Sequence, residues 1–256
     1  MIPKIIHLCW LSGDPYPEKI QYCIDSWKKV LPDYEVMLWD TSRFDVNSIP
    51  WTKQAFEAKK YAFVADYIRL YAVYNYGGIY LDSDVEAIRP FDDLLDLPYF
   101  VGAEAGLGGI ELAAFGAEKG LEWVEYAMHY YEGRNFIKED GGMDIEPMPR
   151  VLRTFLEQKY SIVHIDRKSE FDPDPSKLCV FPMDWFNAHP MDENEKLHYH
   201  VTRNTRCIHH FANAWTSDVY VGGPLHKLYY WITGINWKFD DRRFKLYGKQ
   251  KKNKEI

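Results

Sequence analysis

Cysteine is scarce in this sequence, and its few cysteines show no metal-binding or redox spacing. The 256 residues include four Cys, and no two of them form a CxxC pair. Zinc ribbons and thioredoxin-like redox sites are therefore not indicated. Because a cleavable signal sequence is also missing, we expect a cytoplasmic protein with reduced, buried thiols at Cys9, Cys23, Cys179 and Cys207.

Long hydrophobic runs and an excess of positive charge are missing too. The longest apolar run near the N-terminus, residues 5–11, contains His7 and is too short to cross a bilayer. A net charge of −7 argues against a nucleic-acid partner, because phosphate backbones require clustered Lys and Arg. Residues 237–256 are the exception, with eight Lys or Arg against three acids. This basic C-terminal tail predicts either peripheral contact with anionic lipid at the inner face of the plasma membrane or a solvated chain end.

Several catalytic and cofactor-binding loops are absent as well. No GxGxxG or P-loop follows the first predicted strand, and the sequence contains no GxSxG elbow. A dinucleotide cofactor, a P-loop nucleotidase and an α/β-hydrolase triad are therefore not supported.

What is present is an alternation of strand and helix patterns. Residues 4–11 and 34–39 are short β-rich runs, and residues 17–30 between them carry apolar side chains at helical spacing. Such a β-α-β unit is typical of open sheets that bind ligands at their strand ends. We predict an α/β fold, with an open mixed sheet of Rossmann type and flanking helices, as one domain over residues 1–236.

The strongest predicted helix covers residues 52–76 and is ended by Gly77-Gly78. The next residues, 79–85 (IYLDSDV), form a predicted strand. The other predicted elements are strands at 99–103, 110–115 and 206–211, helices at 121–131, 149–158 and 225–237, and loops over 166–200.

Two carboxylates stand at the end of that strand, in Asp82-Ser83-Asp84. On a strand, residues i and i+2 point to one face about 6.6 Å apart, so both acids can address one hard cation. Mn²⁺ or Mg²⁺ bound in this way suits a pyrophosphate. A solvated strand end is the alternative, because three-residue patterns are common.

Asp66 and Arg69 are three residues apart on one face of the preceding helix. The Gly77-Gly78 turn folds the strand back beside this helix, so these charges are expected to converge with the two acids. The alternative is an ordinary surface ion pair, although the apolar neighbours of the two residues make an idle buried pair costly.

Residues 62–84 (AFVADYIRLYAVYNYGGIYLDSD) carry the pattern D-x-x-R followed by G-G-x-Y-x-D-x-D. This pattern resembles glycosyltransferases with the DXD sugar-binding region, the family that includes capsular polysaccharide transferases and yeast α-1,6-mannosyltransferases. Its spacing is also similar to that of the glucosyltransferase domains of large clostridial toxins. The N-terminal IPKIIHLCWLSG and the downstream HHFANAW resemble the first strand and the end motif of the family.

The resemblance implies a GT-A-like fold, with a nucleotide-sugar-binding half at residues 1–120 and an acceptor-side half at 121–236. It also implies that Trp10 stacks on the base, although a core Trp is the competing reading. The other implied donor contacts are Asp66, Arg69, Tyr80, Asp82, Ser83, Asn213 and Trp215, and Asp66 and Arg69 are taken as catalytic.

The same resemblance implies a metal bound by Asp84, by Asp82 and by a histidine of the end motif. His209 and His210 point to opposite faces of a strand, so only one of them enters the site. The motif spacing favours His210, with the opposite assignment left open. A zinc site is disfavoured, because no four-ligand Cys/His set exists.

Two further acids, Asp144 and Glu146, are weaker candidates that would face the acceptor or the sugar. Asp144 is taken as a possible catalytic group, although acids in turns are usually only solvated.

These residues predict a metal-dependent, retaining transferase of polysaccharide or capsule synthesis. It would move a sugar from a nucleotide diphosphate sugar, with a UDP-hexose favoured and GDP-mannose open, to a glycan or lipid-linked acceptor. The alternatives are a carbohydrate-binding module without chemistry and a metal-dependent phosphohydrolase.

Overall fold

The computed structural model describes residues 1–104, 109–188 and 201–210, which lie in one compact unit. The helices in these residues are α1 (Glu18–Val30), α2 (Pro50–Glu57), α3 (Tyr61–Tyr76), α4 (Glu122–His129), α5 (Met148–Leu156) and α6 (Met183–Phe186). The strands are β1 (Ile5–Cys9), β2 (Glu35–Trp39), β3 (Gly78–Leu81), β4 (Val85–Ala87), β5 (Tyr99–Ala103), β6 (Ile110–Ala117), β7 (Ser161–His164), β8 (Lys177–Val180) and β9 (Cys207–His209).

A five-stranded sheet in the order β2-β1-β3-β6-β5 forms the centre of the fold. The first three strands are parallel, whereas β6 is antiparallel to both β3 and β5. The predicted α/β class, with an open mixed sheet and flanking helices, is confirmed. Because β2, β1 and β3 are parallel neighbours, their carboxyl ends lie at one edge of the sheet, where Asp40, Trp10 and Asp82 follow them.

The core lies between the sheet and α1. Ile6 and Leu8 of β1 and Ile79 and Leu81 of β3 are almost fully buried in one apolar cluster that includes Trp27 of α1. The Trp27 indole donates a hydrogen bond of 2.7 Å to the carbonyl of Val85, which ties α1 to β4. The segment that carries the two acids is therefore fixed from both ends.

The predicted helix over residues 52–76 is two helices. Lys59, between α2 and α3, has φ +56°, and the amides of Lys59 and Lys60 donate to the carbonyls of Phe56 and Ala55. This is a Schellman cap with lysine at the position that usually holds glycine. The prediction was wrong here because no Gly or Pro marked the break, and every residue around it is a tolerable helix former.

The Gly77-Gly78 terminator is confirmed. The amide of Gly77 donates to the carbonyl of Val73 at 2.8 Å, and Gly77 has φ +67°. Gly78 has φ +110°, and a Cβ at this position would lie 2.7 Å from the carbonyl oxygen of Ile5. Only glycine allows β3 to pack this closely against β1.

The loop-rich prediction for residues 166–200 missed regular structure. It missed β8 and the one-turn helix α6, and β7 lies just before the same region. The strand β7 pairs in parallel with β8.

No helix among the described residues has both the length and the apolar character needed to cross a membrane. The predicted helix at 225–237, the tail at 237–256, Asn213 and Trp215 lie outside the described residues.

Candidate active site

The two acids of the DXD motif lie in a turn and not on a strand. Strand β3 ends at Leu81, and the amide of Val85 donates to the carbonyl of Asp82 at 2.9 Å, which closes the turn. The predicted continuous strand over residues 79–85 was wrong at this point. The turn changes the direction of the chain. The two carboxylates therefore lie close together because the chain bends, and not because residues i and i+2 of a strand share a face. The hydroxyl of Tyr80, which lies in β3 two residues before Asp82, donates to Asp82 Oδ1 at 2.8 Å.

Arg69 of α3 links the helix to the turn. Its guanidinium lies 3.0 Å from Asp66 Oδ1 and 3.3 Å from Asp82 Oδ2. It also donates a 3.0 Å hydrogen bond to the carbonyl of Leu112 on β6 and lies 4.8 Å from the centroid of the Tyr80 ring. The structure thus brings Asp66, Arg69 and Asp82 together as predicted. With only 6% of its surface exposed, Arg69 is part of a buried charge network and not of a surface pair.

Burial raises the pKa of Asp66 to about 7, against the opposing attraction of Arg69. The negative charge of Asp82 acts in the same direction as burial. A carboxyl group in this state titrates near neutral pH, as is common in functional sites.

Glu111 of β6 is a second buried acid in this network, and the sequence reasoning missed it. Burial raises its pKa, and its electrostatic neighbours include His209, Asp82 and Arg69. Its Oε1 accepts a hydrogen bond of 3.0 Å from the amide of Ala113. The available signal was a lone charge in the apolar run IELAAFGA, because an isolated charge in a buried strand needs partners.

The histidine that reaches the acids is His209. Asp82, Asp84 and His209 each offer a ligand atom, and these atoms lie within 4.8 Å of one another. The distance from His209 Nε2 to Asp84 Oδ1 is 3.4 Å. Burial lowers the pKa of His209, but the nearby carboxylates, Asp84 first, outweigh it, and the net shift is upward.

The His210 amide donates to the carbonyl of Asp84 at 3.0 Å, but its imidazole, the one favoured for the metal from the motif spacing, contacts a different acid. His210 Nε2 lies 2.8 Å from Glu86 Oε2, and Tyr22 donates to the other oxygen of Glu86. The two histidines do point in different directions, as the alternation of a strand requires. The choice between them depends on the pairing of β9 with β4, where His209 stands opposite Val85. The spacing of residues along the chain does not reveal which residues of β4 and β9 stand opposite each other.

Trp10 lies at the carboxyl end of β1, is half-buried and packs with part of its ring against the hydrophobic core. Its indole N–H donates to the carbonyl of Asp14 at 2.8 Å, and its ring meets Tyr16 edge-on at 4.9 Å. It borders a cavity of about 500 Å³ whose other walls include Asp14, Tyr16, Leu38, Asp40, Phe56 and Tyr61. A cavity with aromatic walls next to the DXD edge suits a planar ring better than a phosphate, because its charged lining residues are acidic.

Asp144 lies in a different environment. It is buried and pairs with Arg134 at 3.3 Å and Lys138 at 3.6 Å, while Glu146 forms a surface pair with Arg150 at 2.9 Å. Among the contacts of the described residues, none joins Asp144 to the DXD turn. Ser83 lies within the turn itself.

The site as a whole combines two carboxylates, an imidazole and a buried guanidinium at the carboxyl edge of an open α/β sheet. Two carboxylates and one imidazole fit a divalent cation such as Mn²⁺ or Mg²⁺. The cation and the guanidinium together suit a ligand that carries phosphate. The fold and the site together therefore define a sheet-edge site whose side chains suit a metal-bound, phosphate-bearing ligand.

Comparison with known proteins makes this class more specific. Residues 17–101 match the family described as "Glycosyltransferase sugar-binding region containing DXD motif". This segment, which contains Asp66, Arg69 and the DXD turn, is therefore similar to glycosyltransferase sugar-binding regions. The resemblance predicted from the sequence is confirmed.

Two curated relatives share this part of the chain. "Inositol phosphoceramide mannosyltransferase 3" of Schizosaccharomyces pombe is 38% identical over 123 residues, which cover 46% of this chain and 34% of that protein. "Mannosyl phosphorylinositol ceramide synthase SUR1" of Saccharomyces cerevisiae is 36% identical over 115 residues, which cover 42% of this chain and 29% of that protein. The chain thus spans about a third of the length of these relatives.

Among solved structures, "PaToxG Glycosyltransferase" aligns with a TM-score of 0.45 and 21% identity, over 61% of this chain and 69% of that one. Glu111, Asn187 and His209 lie beyond the segment that matches the family.

Proposed function

We propose that this protein is a metal-dependent glycosyltransferase that moves a sugar from a nucleotide diphosphate sugar to a hydroxyl group of a glycan or lipid-linked acceptor. The observation that carries the proposal is the cluster of Asp82, Asp84 and His209 next to the buried Asp66–Arg69 pair. The family match over residues 17–101 supports it independently.

Each group in the site has a role that its chemistry suits. A divalent cation held by Asp82, Asp84 and His209 would stabilise the charge that develops on the departing pyrophosphate. Arg69 keeps Asp82 oriented and adds positive charge at the same place. Asp66 would accept a hydrogen bond from a sugar hydroxyl, and the cavity beside Trp10 would take the base.

The donor and acceptor belong to the same proposal. Of these two relatives, one is named an inositol phosphoceramide mannosyltransferase and the other a mannosyl phosphorylinositol ceramide synthase. These names support GDP-mannose as a donor to be assayed beside the UDP-hexoses, and a lipid-linked acceptor. Retention of configuration, a cytoplasmic location, a place in polysaccharide or capsule synthesis and contact of the tail with membranes are proposals from the sequence alone.

The test is a donor assay on the full chain. We expect one sugar nucleotide among UDP-glucose, UDP-galactose and GDP-mannose to lose its sugar, either to water or to an added lipid-linked acceptor, in the presence of Mn²⁺. EDTA should abolish this release, because the cation stabilises the leaving group. Glycan binding that is unchanged by EDTA, without release, would favour the binding module. Release of inorganic phosphate from simple esters would favour the phosphohydrolase.

A further inference from the structure

The segment from Trp185 to Ala188 holds β9 on the side opposite to β4. The amide of Arg206 donates to the carbonyl of Trp185 at 2.7 Å, and the amide of His209 donates to the carbonyl of Ala188 at 3.2 Å. Ala188 and Ile208 form a parallel bridge. The backbone of His209 is thus fixed between β4 and a segment that begins in the last residues of α6, far along the chain from the DXD turn.

Asn187 of this segment contacts the His209 side chain directly. The distance from Asn187 Oδ1 to His209 Nδ1 is 3.0 Å, and only 1% of the surface of Asn187 is exposed. An amide oxygen is only an acceptor, so this contact requires a hydrogen on Nδ1. In the neutral ring, the lone pair then lies on Nε2, the atom that faces Asp84.

This arrangement leaves the amide nitrogen of Asn187 without a hydrogen bond in the part of the chain that the structure describes. Its Nδ2 is buried and has no hydrogen-bond partner among the described residues. A buried donor without a partner costs free energy, so a purely structural role would be met as well by an apolar side chain of similar size. The side chain is thus oriented to serve the imidazole and not its own hydrogen bonding.

From this geometry we infer that Asn187 is a positioning residue, which fixes the ring of His209 so that Nε2 binds the divalent cation. The inference rests on the proposed function, because it takes Asp82, Asp84 and His209 as the cation site. Metal-binding histidines commonly donate their other ring N–H to a carbonyl or carboxylate, and loss of that partner weakens metal binding. The reverse amide orientation would instead favour a hydrogen on Nε2 and oppose metal binding.

The experiment measures Mn²⁺ binding by calorimetry on the full chain without a sugar donor. We expect Asn187→Leu to weaken Mn²⁺ binding about 10- to 100-fold, because the acceptor for Nδ1–H is lost. Asn187→Asp keeps an acceptor at the same place and should bind Mn²⁺ at least as well as the wild type. Asn75→Leu is the matched control, since the Asn75 amide donates to the carbonyl of Tyr71 within α3, and it should leave Mn²⁺ binding unchanged.

Equal Mn²⁺ affinity of the wild type and a folded Asn187→Leu variant overturns the inference while leaving the metal site intact. A wild type that binds no Mn²⁺, with or without a nucleoside diphosphate, overturns the metal site itself. Nitrogen-15 NMR of the histidines in the Mg²⁺-loaded wild type tests the inference even if the leucine variant does not fold. A hydrogen on Nδ1 of His209 is expected, and a hydrogen on Nε2 would contradict it.

Discussion

Arg69, a single residue, holds the carboxylates of Asp66 and Asp82 close together. Its planar guanidinium reaches Asp66, Asp82 and the carbonyl of Leu112 at the same time. A lysine has a single compact ammonium group and no fork of fixed donors, so it does not replace these contacts. The buried carboxylate of Asp66 and the half-buried carboxylate of Asp82 therefore depend on an arginine at this position, which also connects the helix and the turn of the site.

His7 of β1 gives a prediction about pH at the same scale. Its Nδ1 accepts a hydrogen bond of 3.0 Å from the Trp39 indole, and its Nε2 lies 2.7 Å from the carbonyl of Gly77. Burial lowers the pKa of His7 to about 4, against the opposing contact with Gly77. In the unfolded chain a histidine takes up a proton below about pH 6.5. The free energy of unfolding is therefore expected to fall by about 3 kcal/mol on this account as the pH drops from 6.5 towards 4, and to be fully retained above 6.5.

The measurement is urea unfolding of the wild type and His7→Gln across this pH range. Glutamine offers one acceptor and one donor but does not titrate, so its free energy of unfolding should fall less steeply at low pH. All other titrating groups are common to both proteins and cancel in the difference. Parallel curves for the two proteins would show that His7 takes up its proton equally in the folded and unfolded states.

At the level of elements, the break between α2 and α3 shapes the cavity beside Trp10. Phe56 precedes the break and Tyr61 follows it, and both side chains line the cavity. Their rings lie 5.5 Å apart. A continuous helix over residues 52–76 would not place the two rings side by side across a bend. The Schellman cap at Lys59 therefore positions two walls of the cavity beside Trp10, which is proposed to take the nucleotide base.

This cap predicts a stabilising substitution. Lys59 is held in the left-handed region at φ +56°, which glycine adopts without a steric penalty. We expect Lys59→Gly to raise the free energy of unfolding by about 0.5 to 1 kcal/mol, after the entropy cost of glycine in the unfolded chain.

Chemical denaturation measures the difference, and Lys53→Gly within α2 is the matched control. That substitution should destabilise the protein by about 1 kcal/mol, because glycine is unfavourable in a helix interior. If Lys59→Gly were as destabilising as the control, the left-handed cap would not exist in solution.

At the level of the whole molecule, local patterns were sufficient for the parallel half of the sheet. The β1-α1-β2 unit and the Gly77-Gly78 terminator follow from side-chain periodicity and from the conformational freedom of glycine, which act over a few residues. The resemblance of residues 62–84 identified Asp66, Arg69, Asp82 and Asp84, which the structure brings to one edge of the sheet.

The parts that sequence reasoning missed depend on contacts between distant segments. The choice of His209 over His210 follows from the pairing of β9 with β4, and Asn187 belongs to a region that the sequence presented only as loops. Glu111 stands in a strand whose neighbours are apolar, so its function is visible only once Arg69 and Asp82 lie beside it. The lone charge of Glu111 in an apolar run indicates only that partners are needed, whereas the contacts of His209 and Asn187 have no local pattern in the chain.

Asp82, Asp84 and His209 are proposed to hold a cation that binds a nucleoside diphosphate. Calorimetric titration of UDP and GDP into the full chain, with and without Mn²⁺, tests this proposal most directly. We expect one nucleotide to bind tightly only with Mn²⁺, and Asp84→Asn to lose that binding while the protein stays folded. The exposed Asp96, paired with Lys168, provides the control variant Asp96→Asn, which should bind like the wild type. An Asp84→Asn variant that keeps Mn²⁺-dependent nucleotide binding would contradict the account.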